Sequence, residues 1–182
     1  LTYVMDHTKK SHVEKDVYEA TIGFLNAKKD SMTLHLHVSD NDVAYKYEMI
    51  RPKKDNPKSV IIYKEVSGFN FPSQTRTFLS PQITPMTGWE RTKPSYEEEY
   101  RPDSKLTDPS QYGVGYTFPC LYRIPNAKGN NWVLLSETGV TGEYPGSRLS
   151  EYEAGKGFTV TYPQKGEANG IGSEYAAISL PG

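Results

Sequence analysis

Alternation of apolar and polar residues is the dominant pattern in this chain. Apolar residues take every second position from Met32 to Val38 and again from Val43 to Met49. A period of two is typical of a β-strand with one apolar face. Between the two runs lies Ser39–Asp42, whose short polar side chains favour turns. The pattern predicts a β-hairpin with one buried face.

Strand-like runs recur along the rest of the chain, whereas no stretch of a dozen residues keeps apolar residues at helical spacing. Turn-forming residues separate the runs, as in the Asn126–Asn131 and Gly155–Gly157 segments. We predict an all-β chain, and the regular spacing favours an antiparallel β-sandwich. The further predicted strands are Val17–Phe24, Val60–Val66, Thr75–Leu79, Tyr96–Tyr100, Val114–Ile124, Trp132–Glu137, Phe158–Tyr162 and Ala176–Leu180.

Residues 80–112 break this pattern, because prolines are scattered through a polar and aromatic stretch. Proline lacks the N–H that a central strand needs for its ladder. We therefore predict a long irregular excursion, which either serves a function or covers a sheet edge.

Composition narrows the class of protein. The 182 residues are expected to form one sandwich domain over 1–182. The 21 basic and 22 acidic residues leave no basic footprint for nucleic acid. The single cysteine, Cys120, excludes an intramolecular disulfide and a multi-cysteine metal site. No apolar run approaches the roughly 20 residues of a membrane span, so none is predicted.

Three groups of polar residues have structural interpretations. His35 and His37 are expected to face solvent, because the other face of their predicted strand carries the aliphatic residues. Such a pair could bind a metal ion, but no third ligand follows in the local sequence, so solvent exposure is the favoured interpretation. Asp40 and Asp42 are interpreted as turn residues, because the remaining ligands of a calcium loop do not follow. Within Glu97–Glu99, the first and last residues share a strand face that is expected to be solvated.

Glu137 is the carboxylate with the clearest functional position. It comes directly after the apolar run that starts at Trp132 and precedes a glycine-containing loop through Gly146. A carboxylate at a sheet rim can reach a metal ion or a sugar hydroxyl. A surface glutamate without function is the alternative that position alone favours.

Taken in order, several segments over residues 13 to 180 resemble the N-terminal domain of glycoside hydrolase family 97. Val38–Glu48 is similar to the family's hairpin with a "DGVAFRYE" strand, and Trp132–Tyr144 to its "HEAALxDY" segment. Phe69–Pro72, Trp89–Glu90 and the Tyr96-Glu97 pair resemble the loop region between them.

The resemblance implies a large galactose mutarotase-like sandwich, packed in the parent enzyme on a C-terminal (β/α)8 catalytic domain that this chain lacks. Such a parent is an α-glucosidase or α-galactosidase acting on an oligosaccharide, with a periplasmic location in bacteria. By motif position, Glu137 would be a ligand of a calcium ion shared with the catalytic domain. Trp89, Tyr96 and Glu97 are the expected substrate-binding residues, because aromatic rings stack on sugar faces. The chain alone is expected to be an inactive fragment.

Two other functions stay open at this point. A stand-alone carbohydrate-binding module would carry a preformed aromatic platform and bind sugar without a partner domain. An aldose epimerase would need an acid and a base converging on one pocket, normally a histidine and a glutamate. The histidines of this chain do not fall in the later strands where such a site is expected.

Overall fold

The computed structural model describes residues 1–49, 59–83, 100–140, 146–162 and 176–179 of the chain. All regular structure in these ranges is β-strand, and the pairings are antiparallel. No helix within them is long and apolar enough to cross a membrane. The chain divides into two compact units, one of Leu1–Lys58 with Leu180–Gly182 and one of Ser59–Ser179.

The first unit contains two small sheets. One is a two-stranded ribbon and the other a three-stranded meander with the order β3-β4-β5. The strands are β1 (Thr2–Val4), β2 (His12–Glu14), β3 (Tyr18–Leu25), β4 (Ser31–Val38) and β5 (Val43–Met49).

The predicted hairpin is confirmed as β4 and β5, with Val38 opposite Val43 and Met32 opposite Met49. The Ser39 N–H donates to the Asp42 carbonyl across the turn. Register places alternate residues of all three strands on one face, so that Ile22, Leu34 and Tyr47 form one cross-strand row. The apolar pattern of the sequence therefore becomes one continuous apolar sheet face.

The hairpin face that was predicted to be buried is half-buried along most of β4 and exposed along β5. Val43 is 65 % exposed, and Tyr47 and Phe24 are also exposed. Within the described residues of this unit, β3, β4 and β5 form one layer, and one layer by itself buries neither face.

Histidines lie on the opposite, polar face of the same sheet. His35 Nε2 lies 2.7 Å from Glu48 Oε2, and His37 Nδ1 lies 3.6 Å from Glu19 Oε1. His37 is exposed and His35 is half-buried. Each histidine thus faces one cross-strand glutamate, and the described residues contain no group of three or more acidic, histidine or cysteine side chains that could hold a metal ion.

The second unit is built on a seven-stranded sheet with the order β7-β13-β12-β10-β8-β9, in which β11 also pairs with β10. A two-stranded ribbon, β6 with β14, accompanies it. The strands are β6 (Ser59–Ile62), β7 (Gly68–Phe69), β8 (Arg76–Pro81), β9 (Arg101–Lys105), β10 (Tyr116–Asn126), β11 (Gly129–Leu135), β12 (Arg148–Leu149), β13 (Phe158–Thr161) and β14 (Ala176–Ser179).

The core of this unit lies on the face of the large sheet that carries Tyr122 and Cys120, both fully buried. The Tyr122 ring stacks on Phe71 at a centroid distance of 4.1 Å and lies 5.6 Å from the ring of Phe158. Leu149 of β12 is also fully buried in this cluster. The central strand β10 and the short strand β12 are therefore fixed by the same core.

Most predicted strands of this unit are present within a few residues of their expected bounds. The predicted run Val60–Val66 ends earlier, since β6 stops at Ile62. The prediction of an irregular excursion is wrong for residues 101–105, which form β9 despite Pro102. The strand lies at the edge of the sheet, where a missing N–H leaves no ladder bond unmade. Residues 84–99 of the excursion lie outside the described residues, and with them all but the last residue of the predicted strand Tyr96–Tyr100.

Candidate functional site

The candidate site lies at a gap along one edge of β10. Two strands pair with that edge in succession: β11 ends with Leu135 opposite Cys120, and β12 begins with Arg148 opposite Thr117. Phe118 and Pro119 lie between these pairings, and the proline has no N–H to donate. The chain therefore leaves β10 after Leu135 and returns 13 residues later, at Arg148, to the same edge.

Glu137 and Ser147 meet at this gap. Glu137 lies two residues after β11, and Ser147 directly precedes β12. The Ser147 N–H donates to both carboxylate oxygens, at 3.2 Å to Oε1 and 3.0 Å to Oε2. The Ser147 hydroxyl donates to Oε1 at 2.7 Å. One residue thus holds both oxygens of the half-buried carboxylate.

Ser147 is itself held by the strand that follows it. Arg148 is 6 % exposed, and its Nε donates to the Val114 carbonyl at 2.9 Å. Leu149 is fully buried and pairs with both Tyr116 and Val160. The Ser147 end of the contact is therefore anchored in the core, whereas the residues next to Glu137, namely Ser136 and Thr138, are exposed.

An open cavity of about 410 Å³ adjoins the carboxylate. Its walls combine apolar residues, Phe118, Pro119 and Val140, with Gly146 and the two serines Ser136 and Ser147. Another cavity, of about 230 Å³, is lined by Arg76 and Lys105 and by no acidic side chain among the described residues. Between these two cavities, only the one at Glu137 offers an anionic oxygen.

The thiol of Cys120, which lies next to this site, is fully buried and protonated at neutral pH. Cys120 directly follows Pro119, and burial raises the pKa of its thiol to about 12. Its Sγ lies 3.2 Å from the Thr117 carbonyl, to which the thiol donates. Since the thiolate is the form that binds metal or attacks a substrate, full burial disfavours Cys120 as a ligand or nucleophile at neutral pH.

The carboxylate of Glu137 suits a hard cation such as calcium as one ligand of several. Calcium takes six to eight oxygen ligands, and carboxylates are preferred among them. The described residues contain no set of three acidic, histidine or cysteine side chains that could hold a metal ion by themselves. The Glu137 carboxylate therefore fits calcium as one ligand, with the other ligands of the coordination shell supplied by other groups.

The other residues expected at the site cannot be placed. Trp89, Tyr96 and Glu97 lie outside the described residues, as do Glu98 and Glu99. Of the residues singled out from the sequence, the structure therefore places Glu137 alone in the site. The part of its loop formed by residues 141–145 is also outside the described ranges.

The sequence pattern does not single out Ser147, although its N–H and hydroxyl both donate to the Glu137 carboxylate. Its distance of ten residues from Glu137 corresponds to no local motif. The contact follows from two strands sharing one edge of β10, which is a property of the sheet topology. The glycine-containing loop after Glu137 is the one local signal that the chain turns back here.

Comparison with known proteins agrees with this architecture. The family described as Glycosyl-hydrolase 97 N-terminal matches residues 1–175. The crystal structure of a beta-arabinopyranosidase is similar over the whole chain, with 47 % sequence identity and a TM-score of 0.86. This chain spans 27 % of the length of that protein. A search of curated proteins gives no match. The all-β sandwich expected from the sequence is confirmed, and the chain belongs to the family of glycoside hydrolase 97 N-terminal domains.

Proposed function

We propose that this chain is the non-catalytic N-terminal domain of a family 97 enzyme that cleaves α-linked glucosides or galactosides. In this proposal the domain lines one side of the substrate pocket. It donates Glu137 to a calcium ion that is bound mainly by a C-terminal (β/α)8 catalytic domain. The observation that carries the proposal is the Glu137 carboxylate, which Ser147 holds by both oxygens beside an open cavity.

A supporting role fits the number of carboxylates at the site. Glycoside hydrolysis uses a pair of carboxyl groups on the two sides of the scissile bond, or close together when one is the nucleophile. Among the described residues that line the cavity, Glu137 is the one carboxylate. A single carboxylate is sufficient for one position in a calcium shell and insufficient for the reaction. The reacting pair is therefore assigned to the catalytic domain.

The similar solved structure favours the galactoside over the glucoside. It is a beta-arabinopyranosidase, so its name identifies a pyranoside as the substrate of that protein. In its L form, β-arabinopyranoside has the ring configuration of an α-D-galactopyranoside and lacks the exocyclic carbon. At 47 % identity to that protein, this chain is proposed to serve an enzyme for one of these two related sugars.

The remaining parts of the proposal rest on family membership. Trp89, Tyr96 and Glu97 stay predicted substrate-binding residues, and a periplasmic location stays a prediction. Secretion would give the parent enzyme access to the calcium that the proposed site requires.

Hydrolysis assays on the full-length protein that carries this chain test the proposal. The substrates are the 4-nitrophenyl α-D-galactoside, α-D-glucoside and β-L-arabinopyranoside, each assayed with calcium and with excess chelator. We expect hydrolysis of the galactoside or the arabinoside, a marked loss on chelation, and recovery when calcium is restored. Activity that chelation leaves unchanged on every substrate would refute the calcium role.

A stand-alone carbohydrate-binding module is the second candidate, and one observation favours it. Trp132 is 53 % exposed, and its ring lies 5.4 Å from that of Phe78 on the outer face of the large sheet. Arg123, which pairs with Asp103, lies over the Phe78 ring and places polar groups nearby. Calorimetry of the 182-residue chain with galacto-oligosaccharides distinguishes the candidates. Binding that Trp132→Ala abolishes supports the module, whereas no binding leaves the accessory domain.

A further inference from the structure

The contact between Ser147 and Glu137 also restricts the conformation of the Glu137 side chain. A glutamate side chain has three rotatable bonds, and an exposed one loses conformational freedom when it is fixed. Glu137 lies beyond the last ladder pair of β11, so strand pairing does not fix its backbone. Its carboxylate nevertheless accepts one N–H and one O–H from a residue that is anchored in the core.

We propose that Ser147 is a positioning residue that presents the Glu137 carboxylate to the calcium ion. The inference rests on the proposed function, because it assigns a role to Ser147 only if Glu137 binds calcium. Ser147 itself is not required to touch the ion.

The hydrogen-bonding capacity of the carboxylate allows this arrangement. An ionised carboxylate has about four acceptor sites on its two oxygens. The shared Ser147 N–H and the Ser147 hydroxyl occupy the side that faces β12. One acceptor site, on Oε2, is thereby left for a cation that approaches from the cavity.

The anchoring of Ser147 explains why this residue, rather than Glu137, sets the geometry. The next two residues, Arg148 and Leu149, are buried and paired on both sides with β10 and β13. Any displacement of Ser147 would have to move a core strand. The position of the carboxylate is thus transmitted from the core through two hydrogen-bond donors.

The expected loss of calcium affinity can be estimated from other proteins in which a hydrogen-bond partner of a metal ligand has been removed. Removing a group that hydrogen-bonds a metal ligand typically lowers metal affinity by about 10- to 100-fold. In Ser147→Ala the N–H contact persists and only the hydroxyl contact is lost. We therefore expect a loss in calcium affinity of about tenfold, at the lower end of that range.

Ser136 provides a matched control. It adjoins Glu137 and lines the same cavity, but its hydroxyl donates to the Glu137 backbone carbonyl at 3.3 Å and not to the carboxylate. Ser136→Ala removes the same group from the lining of the same cavity. It is expected to leave calcium affinity unchanged.

The experiment is calcium titration by calorimetry on the full-length protein after chelation. It compares the wild type with Ser147→Ala, Ser147→Cys, Ser147→Thr, Ser136→Ala and Glu137→Gln. The thermal unfolding midpoint in chelator reports folding independently of the ion. Ser147→Cys keeps the side-chain volume with a weaker donor and serves if the alanine variant does not fold.

We expect weaker calcium binding in Ser147→Ala and Ser147→Cys, near wild-type binding in Ser147→Thr and Ser136→Ala, and unchanged unfolding midpoints in chelator. Wild-type affinity in both Ser147→Ala and Ser147→Cys, together with weak binding in Glu137→Gln, would overturn the role of Ser147 and leave the proposed function standing. Wild-type affinity in Glu137→Gln would overturn both.

Discussion

The contact between Gly115 and β12 gives the sharpest test of the packing behind the site. Gly115 has a φ of +91°, and a Cβ placed on it would lie 2.0 Å from the Leu149 carbonyl oxygen. The obstacle is backbone of a fully buried strand, so it cannot rotate away. Gly115→Ala must therefore displace β12, which directly follows Ser147.

Gly113 offers a matched control two residues away. Its φ is +70°, and a Cβ there would meet nothing within 4 Å. A left-handed conformation costs a non-glycine residue about 1–2 kcal/mol. Gly113→Ala should lose that amount alone, whereas Gly115→Ala should lose about 1–3 kcal/mol more through overpacking.

Cys120 supplies an assay specific to this unit, since it is the single cysteine of the chain and is fully buried. Its reaction with a thiol reagent across a urea series reports when the core around β10 opens. With a urea dependence of roughly 2 kcal/mol per molar, Gly115→Ala should lower the midpoint about 1 M further than Gly113→Ala does. Equal midpoints in the two variants would refute the close approach of Gly115 to β12.

Two further predictions concern the same core. The Tyr122 hydroxyl is buried without a nitrogen or oxygen partner among the described residues, and the Cys120 sulfur, a weak hydrogen-bonding group, is its polar neighbour. Tyr122→Phe should therefore change the urea midpoint by less than the equivalent of about 1 kcal/mol, while Tyr122→Ala should cost about 3–5 kcal/mol by removing the ring that packs on Phe71. A costly Tyr122→Phe would show that the hydroxyl has a partner after all. Burial raises the pKa of the Cys120 thiol to about 12 and also raises the pKa of Tyr116. Both groups lose their protons more readily when unfolded, so stability should be complete below about pH 9 and fall as the pH rises toward 12, by up to about 1.4 kcal/mol per pH unit for each group. Urea unfolding followed by circular dichroism at a series of pH values measures this loss of stability. Cys120→Ala should remove the part of the pH dependence that comes from the thiol. A stability that is constant from pH 8 to 11 would contradict the prediction.

Local pattern is sufficient to predict the β4-β5 hairpin because its strands are long, strictly alternating and joined by a short polar turn. The same pattern misjudges burial, since alternation shows which residues share a face and not what covers that face. Strand β12 cannot be predicted from the sequence, because a strand of two residues is too short to show an alternating pattern. Strand β9 escapes because Pro102 argues against a strand unless its edge position is known.

The candidate site shows the same division between local and non-local information. Glu137 can be selected from the sequence because an apolar run precedes it and a glycine-containing loop follows. Its partner Ser147 cannot, because the contact exists only when β11 and β12 pair with the same edge of β10. The cavity wall formed by Phe118 and Pro119 depends on the gap between those pairings. Sequence thus draws attention to Glu137, family resemblance proposes it as a calcium ligand, and topology provides the residue that holds its carboxylate.

The measurement that bears most directly on the central claim is the calcium affinity of the full-length protein with and without the Glu137 carboxylate. Glu137→Gln keeps the size of the side chain and removes one charged ligand, so calcium binding should weaken by at least about tenfold, or about 1.4 kcal/mol. Hydrolysis should then require correspondingly more calcium. Calcium affinity equal to that of the wild type would contradict the claim that this domain contributes a ligand to the ion.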